Sequence, residues 1–505
     1  MSNSRIEWLG GCCLLTCAAL TGSAAAADVA PQVRAAMSAS GSADALLVFA
    51  DQSTPSLTPL QPGGNYLVHR RALVAALRAR ADTEQSATRA WLDAQGIAHR
   101  DFWIVNLIQA RIPASALAAL AARADVARIE PNPRIPQHLP QADHVMLPLA
   151  TTGIASGVNR IHAPDVWAMG DTGQGVVIGG EDTGYQWDHP ALKPHYRGWN
   201  GTSANHNFNW HDAIHDSTGN PCGNDSSAPC DDYGHGTHTM GTMTGDDGAG
   251  NQIGVAPGAK WIGCRNMDEG NGTPARYIEC MQWMLAPTDS NGNNANSDLA
   301  PDIVNNSWTC PGAGSPSGPS EGCTPPEILE TAVDNLVAGG IFFAAAAENN
   351  GTYGCASITD PPAIYDASFV VGATNSSDTL ASFSSRGPVT GDNLIRPDVV
   401  APGVNVYSSI PTNAYTTMSG TSMATPHVAG AAALLMSAFP ALKGKPAEVA
   451  SILRETAVRQ GVTDPVTQSC GGIASTVWPN YALGYGRVDA FAAYSDVIFI
   501  DGFDD

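Results

Sequence analysis

The stretch Ser419-Gly-Thr-Ser-Met-Ala-Thr-Pro-His-Val-Ala-Gly430 runs a small-residue turn straight into Val428-Ala-Gly-Ala-Ala-Ala-Leu-Leu-Met436. An apolar run without a charge predicts a helix buried in a core. The turn places Ser422 at the mouth of that helix, where backbone N–H groups have no intrahelical acceptor. Pro426 fits a helix starting near Ser422, because a proline in or just after the first turn removes little or no intrahelical bonding. A hydroxyl held there is a candidate nucleophile, and the Ser422 amide can help hold an oxyanion.

Serine is a poor nucleophile at neutral pH without a histidine base and a carboxylate to orient it. Asp182 lies in Gly179-Gly-Glu-Asp-Thr-Gly184, just after the strand-like Val176-Val-Ile178, and His235 lies in Gly234-His-Gly-Thr-His-Thr-Met-Gly241. Taken singly, the three residues read as a turn aspartate, a core histidine and an N-cap serine. Taken in the order Asp, His, Ser, they match one of the known arrangements of the hydrolytic triad.

Together these motifs resemble those of the subtilisin-type serine proteases, over residues 157–490. Within that family, Asp188-His-Pro-Ala-Leu192, His206-Asn-Phe-Asn-Trp-His-Asp212, Val255-Ala-Pro-Gly-Ala-Lys-Trp261 and Asn305-Asn-Ser-Trp308 resemble the bacillopeptidase F-like branch. The resemblance implies an endopeptidase working through an acyl-enzyme, made as an autoprocessed zymogen. It implies that Asn349, in Ala345-Ala-Ala-Glu-Asn-Asn-Gly351, donates its side-chain N–H to the oxyanion; Glu348 stands where the family carries glycine, and Asn350 is a one-residue alternative. It also implies that Asn305-Asn-Ser-Trp308 forms the edge for extended substrate. Ser307, Trp308 and Thr309 would wall the specificity pocket, with Ala345-Ala-Ala347 opposite. Counting on from Asn349 puts Asp360 near the pocket base, where its carboxylate, with Glu348, would favour Lys or Arg before the scissile bond.

Short apolar runs recur through the catalytic region at Val176-Val-Ile178, Ala259-Lys-Trp-Ile-Gly263, Asp302-Ile-Val-Asn305, Gly340-Ile-Phe-Phe-Ala-Ala-Ala346 and Phe369-Val-Val-Gly372. Such runs suit strands buried on both faces, so the expected fold is α/β: a doubly wound, mostly parallel sheet with helices on both faces, preceded by a small α/β domain. In such sheets the site lies beyond the carboxyl ends of the strands, where Asp182 falls.

Residues 1–27 read as a signal peptide, with one arginine, an apolar stretch from Leu9 to Leu20 and Ala24-Ala-Ala-Ala27 as a small-residue cleavage site. The expected destination is extracellular, or periplasmic in transit. Residues 28–135 are predicted to form strands at Ala45-Leu-Leu-Val-Phe49, Phe102-Trp-Ile-Val-Asn-Leu-Ile108 and Val126-Ala-Arg-Ile-Glu130, with helices over 68–95 and 115–123. This region resembles the propeptide of subtilisin-type zymogens, a folding chaperone and temporary inhibitor. A proline-rich linker over 136–156 follows, the maturation cut is placed within 131–157, the catalytic domain spans 157–490, 491–505 is a C-terminal tail, and within it 497–505 reads as an edge strand or frayed tail.

Of the 25 basic and 47 acidic residues, the first 150 positions hold 12 and 11, leaving 13 against 36 over 151–505. That surplus argues against nucleic acid and anionic membranes as partners. Protein or peptide substrates and the chain's own propeptide are expected instead, with the enzyme a monomer. Eight cysteines follow the signal peptide, all beyond residue 220 and without a C-x-x-C pair, which points to disulfides rather than a metal site. Cys222–Cys230 and Cys310–Cys323 close short loops, Cys264–Cys280 ties a strand to its helix, and Cys355–Cys470 remains.

No cofactor is expected for catalysis. Structural Ca2+ is admitted by the resemblance, and Asp246-Asp-Gly-Ala-Gly-Asn251 offers oxygen ligands but also reads as a solvated loop. Two rival classes exist. A metallohydrolase could use His211, His215, His235 and His238, but no glutamate accompanies the His211-x-x-x-His215 spacing and the Ser422 stretch would go unused. An inactive subtilisin-like binding module is suggested by Glu348 alone.

Overall fold

The computed structural model describes residues 26–55, 65–141, 153–312, 315–316, 322–323, 325–391 and 394–501. All but the end of the expected signal peptide, and residues 142–152 of the expected linker, lie outside these. At the centre is a seven-stranded sheet in the order Val399–Pro402, Phe369–Thr374, Phe342–Ala346, Ile303–Asn306, Val177–Asp182, Lys260–Arg265, Trp210–Asp212. Every neighbouring pair is parallel. The five predicted apolar runs supply its five inner strands. Both edges escaped prediction: Trp210–Asp212 is short and half polar, and Val399–Pro402 ends in a proline.

Helices cover both faces of the sheet, and the two-residue alternation of a strand decides which side each residue serves. In Val177–Asp182, Gly180 backs onto Met240 of the helix His235–Thr244, and Gly179 backs onto Met284 of Pro274–Leu285. Asp182 therefore faces the His235 helix, while Glu181 faces the opposite core and is fully buried. Burial pushes the Glu181 carboxyl well above its usual range. The helix Thr421–Ala438 shares the Asp182 face, and its residues from Thr421 to Met436 are all buried. Ala490–Asp501 is a helix, so residues 497–501 are helical where an edge strand or frayed tail was expected, and 502–505 lie outside the described residues. Ala490, Ala493, Tyr494 and Val497 are buried at helical spacing, and Tyr494 meets Phe439 just past the end of Thr421–Ala438.

Four disulfides close the expected pairs, Cys222–Cys230, Cys264–Cys280, Cys310–Cys323 and Cys355–Cys470. The last spans 115 residues and the first only 8. Replacing Cys355 and Cys470 by serine is expected to destabilise the protein by about 2–5 kcal/mol, more than the same change at Cys222 and Cys230, because the longer loop releases more unfolded-chain entropy. Urea midpoints of the two double variants measure the difference.

Residues ahead of the linker build a separate five-stranded sheet, ordered Asp28–Val29, Val126–Pro131, Ser42–Phe49, Leu107–Pro113, His99–Phe102, with its own core around Leu47, Ile108, Ile112 and Ile129. The strand predicted over 102–108 is instead a hairpin, turning between Phe102 and Leu107. At its apolar tip Ile104 and Val105 are buried in the cluster that holds Met281 and Leu336, and the backbone there is bonded as well. The Trp103 and Ile104 amides donate to Gln282 Oε1 at 2.6 and 3.2 Å, and Asn335 Nδ2 donates to the Ile104 carbonyl at 2.7 Å. The helix predicted over 68–95 divides into Tyr66–Glu84 and Ser86–Ala94 at Gln85, whose buried amide donates to the Phe102 carbonyl and Asn106 Oδ1. Arg70, buried, donates to the Gly339 carbonyl, and Arg100 pairs with Glu279 at 3.1 Å. Burial raises the Glu279 carboxyl, but hydrogen bonds from His211 and His215 and the Arg100 charge outweigh it and hold it below the usual range.

Candidate active site

Asp182 ends its strand at the carboxyl edge of the sheet, and His235 opens the helix beside it. His235 Nδ1 lies 2.8 and 3.0 Å from the two Asp182 oxygens, with both side chains almost wholly buried. Asp182 Oδ1 also accepts the Thr183 amide at 2.8 Å, and Thr239 Oγ1 lies 3.4 Å from Oδ2. This fixes the imidazole with Nδ1 protonated and leaves Nε2, which has no hydrogen-bond partner among the described residues, as the basic nitrogen. A side chain at Gly236 would put its Cβ 2.1 Å from the Gly184 carbonyl, so the approach of the two segments requires glycine there.

Asp231 was missed at the sequence level. Its Oδ1 accepts from Thr183 Oγ1 and the Tyr233 and Gly234 amides, and its Oδ2 accepts from the Thr237 amide and hydroxyl. One carboxylate thereby caps the His235 helix and ties it to the loop after Asp182. The available signal was an aspartate a few residues ahead of a helix start.

Ser422 is the second residue of the helix Thr421–Ala438. Its hydroxyl donates to the Ser307 carbonyl at 2.9 Å, and Ser307 Oγ donates back to the Ser422 carbonyl at 3.0 Å. The second bond explains Pro426, which lies deeper in the helix than expected. Lacking an N–H, Pro426 leaves the carbonyl four residues earlier without its helical donor, and that carbonyl belongs to Ser422. Ser307 takes up the open acceptor.

Asn349 is exposed, and its Oδ1 accepts the Thr421 amide and hydroxyl at 2.9 and 3.1 Å. That contact sets the amide's orientation and leaves its NH2 unspent. Asn350, by contrast, is buried and donates to Glu348 at 2.9 Å. A cavity of about 420 Å3 is lined by Ser307, Trp308, Thr309, Ala346, Glu348, Asn349, Thr421 and Ser422, together with Pro136, Gln137, His138 and Leu139. Trp308 contributes little but its backbone, since its indole turns inward, stacks on Tyr277 at 3.8 Å and donates to the Glu181 carbonyl. Asp360 is not on the cavity surface. It is fully buried behind it, with Oδ2 accepting from Ser315 Oγ at 2.7 Å.

Of the expected substrate edge Asn305-Asn-Ser-Trp308, Asn305 and Asn306 are paired on both sides within the sheet, while Ser307 and Trp308 follow the end of the strand and line the cavity. The chain's own segment, Ile135–Pro136, pairs antiparallel with Asn271–Gly272, and the Gln137 amide donates to the Gly270 carbonyl at 2.9 Å. The Gln137 side chain donates to the Thr309 carbonyl and Tyr277 OH and accepts the Thr309 amide. Residues 135–140 therefore run across the cleft, and a Cβ at Gly420 would lie 2.6 Å from Pro140.

The four histidines of the metallohydrolase alternative do not converge. His235 pairs with Asp182, His238 Nε2 meets the Val406 carbonyl, and His211 and His215 share Glu279. Burial drops the His238 imidazole to about 3, so it is neutral. Among the described residues, no group of three or more His, Cys, Asp or Glu side chains is placed to hold a metal ion. In the loop suggested for Ca2+, Asp246 and Asp247 spend oxygens on the amides of Gly248, Ala249 and Asn251.

A carboxylate-braced histidine and a serine at a helix mouth, set at the carboxyl edge of a parallel sheet, define the class as an α/β serine hydrolase. More narrowly, the chain belongs to the subtilase family, whose model matches residues 173–486. It is 37% identical over 448 residues to Bacillopeptidase F of Bacillus subtilis (strain 168), spanning 85% of this chain but 29% of that protein. It is 32% identical over 367 residues to Subtilisin E of the same strain, covering 72% of this chain and 79% of the relative, and 34% identical over 306 residues to Subtilisin DY of Bacillus licheniformis, covering 60% and 92%. Among the described residues no helix is long and apolar enough to cross a membrane.

Proposed function

We propose that the protein is a secreted serine endopeptidase that hydrolyses peptide bonds through Asp182, His235 and Ser422 and is made as an autoprocessed zymogen. The observation carrying this reading is the buried Asp182–His235 contact on the same face of the sheet as the mouth of the Ser422 helix. Ser422 turns about Cα–Cβ from the Ser307 carbonyl toward His235 Nε2, gives up its proton there and attacks the scissile carbonyl carbon. Asp182 stays ionised and stabilises the imidazolium, which then protonates the leaving amine. Water, deprotonated by the same nitrogen, hydrolyses the acyl ester. The Asn349 amide and the Ser422 N–H hold the oxyanion in both tetrahedral intermediates.

Asn349→Ala is expected to lower kcat by about 10²–10³ with little change in KM, because the lost hydrogen bond exists mainly in the transition state. Steady-state kinetics on a peptide amide, beside thermal midpoints, check this. The zymogen reading is supported by the path of residues 135–140 across the cleft and by the hairpin tip against Gln282 and Asn335. No metal or cofactor takes part in the proposed steps. Loss of activity with a serine-directed phosphonyl reagent, and indifference to a zinc chelator, is the expected pattern. The reverse pattern would favour a metallohydrolase, and a correctly folded chain without activity would favour a binding module.

A further inference from the structure

Glu348 adopts φ +71°, a left-handed backbone uncommon for any residue but glycine. Its side chain nevertheless turns inward and is 3% exposed. Oε1 accepts the Thr359 and Asp360 amides at 2.7 and 2.8 Å, and Oε2 accepts Asn350 Nδ2 at 2.9 Å. The Glu348 carbonyl accepts the Ser385 amide at 3.2 Å, and Ser385 Oγ accepts the Asn350 amide at 2.8 Å. The residues on either side of Asn349 are thus pinned, while Asn349 itself is exposed and held at its side chain through Thr421. A glycine at 348 would relax the backbone but leave the Thr359 and Asp360 amides and the Asn350 side chain without their acceptor. With its oxygens committed to these donors, Glu348 is poorly suited to receive a cationic substrate side chain.

We infer that Glu348 is a positioning residue: its buried carboxyl group fastens the loop before Asn349 to the turn at Thr359 and Asp360, and so holds the Asn349 amide where it meets the oxyanion. This rests on the reading of Asn349 as an oxyanion donor. A displacement of about 1 Å in such a group costs up to about 10² in rate. Residues acting through one another give non-additive double mutants.

The test compares the mature forms of wild type, Glu348→Gly, Glu348→Gln, Asn349→Ala and Glu348→Gly/Asn349→Ala on one peptide amide. Glu348→Gly is expected to lower kcat about 10- to 100-fold with KM within about threefold. Glu348→Gln keeps an acceptor for both amides, and Asn350 can turn its own amide to match, so kcat should return to within about threefold of wild type. In the Asn349→Ala background, Glu348→Gly should cost less than about twofold. An equal loss in both backgrounds would overturn the inference, as would an unchanged kcat in Glu348→Gly. Should Glu348→Gly fail to mature, Glu348→Asp, with a shortened reach, carries the same comparison. The underlying reading fails separately if Asn349→Ala alone leaves kcat within about threefold.

Discussion

Ser422→Ala is expected to lower kcat for peptide hydrolysis by about 10⁶, the loss seen when a nucleophile that works in concert with its base is removed. The substitution deletes one oxygen. The Ser307 hydroxyl still donates to the residue 422 carbonyl, so the opening left by Pro426 stays filled and the helix keeps its start. Loss of activity with an unchanged thermal midpoint would therefore isolate the chemistry from the fold. Intact mass followed over time supplies a second readout on the same sample. Wild type should shed its front segment and digest casein, while Ser422→Ala should keep its full mass. Equal processing and digestion by both proteins would remove Ser422 from the nucleophile's role.

Asp182→Asn should lower kcat by about 10⁴ without unfolding the protein. The reason lies in the Thr183 amide, which donates to Asp182 Oδ1. An asparagine would keep its oxygen toward that amide and present its NH2 to His235 Nδ1, with Thr239 Oγ1 near enough to accept the second proton. His235 would then have to accept at Nδ1 and carry its proton on Nε2, the wrong tautomer to deprotonate Ser422. Nitrogen chemical shifts of the imidazole would report the switched tautomer directly. A variant within tenfold of wild type would mean that Asp182 does not set the protonation of His235.

The proposed triad residues were legible because each carries a local signature. Glycines allow the close approach at Gly236, a charge-free helix follows Ser422, and Asp182 closes an apolar strand. The five inner strands were legible because a strand buried on both faces must be apolar along its whole length. The edge strands were not, since a strand bonded on one side tolerates polar residues and proline, as His211 and Pro402 illustrate. Residues 103–106 misled for a different reason. Trp103 and Ile104 look like strand interior, but their side chains pack on the cluster around Met281 and Leu336, distant in sequence, while their backbone groups bond Gln282 and Asn335.

Glu348 shows the same division within the site. Where the family pattern called for glycine, the residue type alone suggested a damaged loop or a charged pocket floor. The fold gives it a third role, because Thr359, Asp360 and Asn350 deliver their N–H groups to its carboxyl oxygens. Asp360 was placed on the cavity by counting residues, and the intervening turn carries it behind the wall. Counting follows the chain, whereas exposure depends on what packs over it.

By itself, then, the sequence determined the fold class and the inner strands and pointed to the three candidate triad residues, all of which depend on local periodicity, short-range turn chemistry or the order of motifs; for the cysteines it offered one pairing among many, which the fold bears out. Only the tertiary structure decided that Asp231 ties the His235 helix to Thr183 in the loop after Asp182, that Ser307 fills the carbonyl opened by Pro426, and that Asn271–Gly272 pairs with Ile135–Pro136 at the cleft. Each of these is a hydrogen bond between partners far apart in sequence. Such partners are selected by the packing of whole elements, for which no local pattern of residues carries a signal.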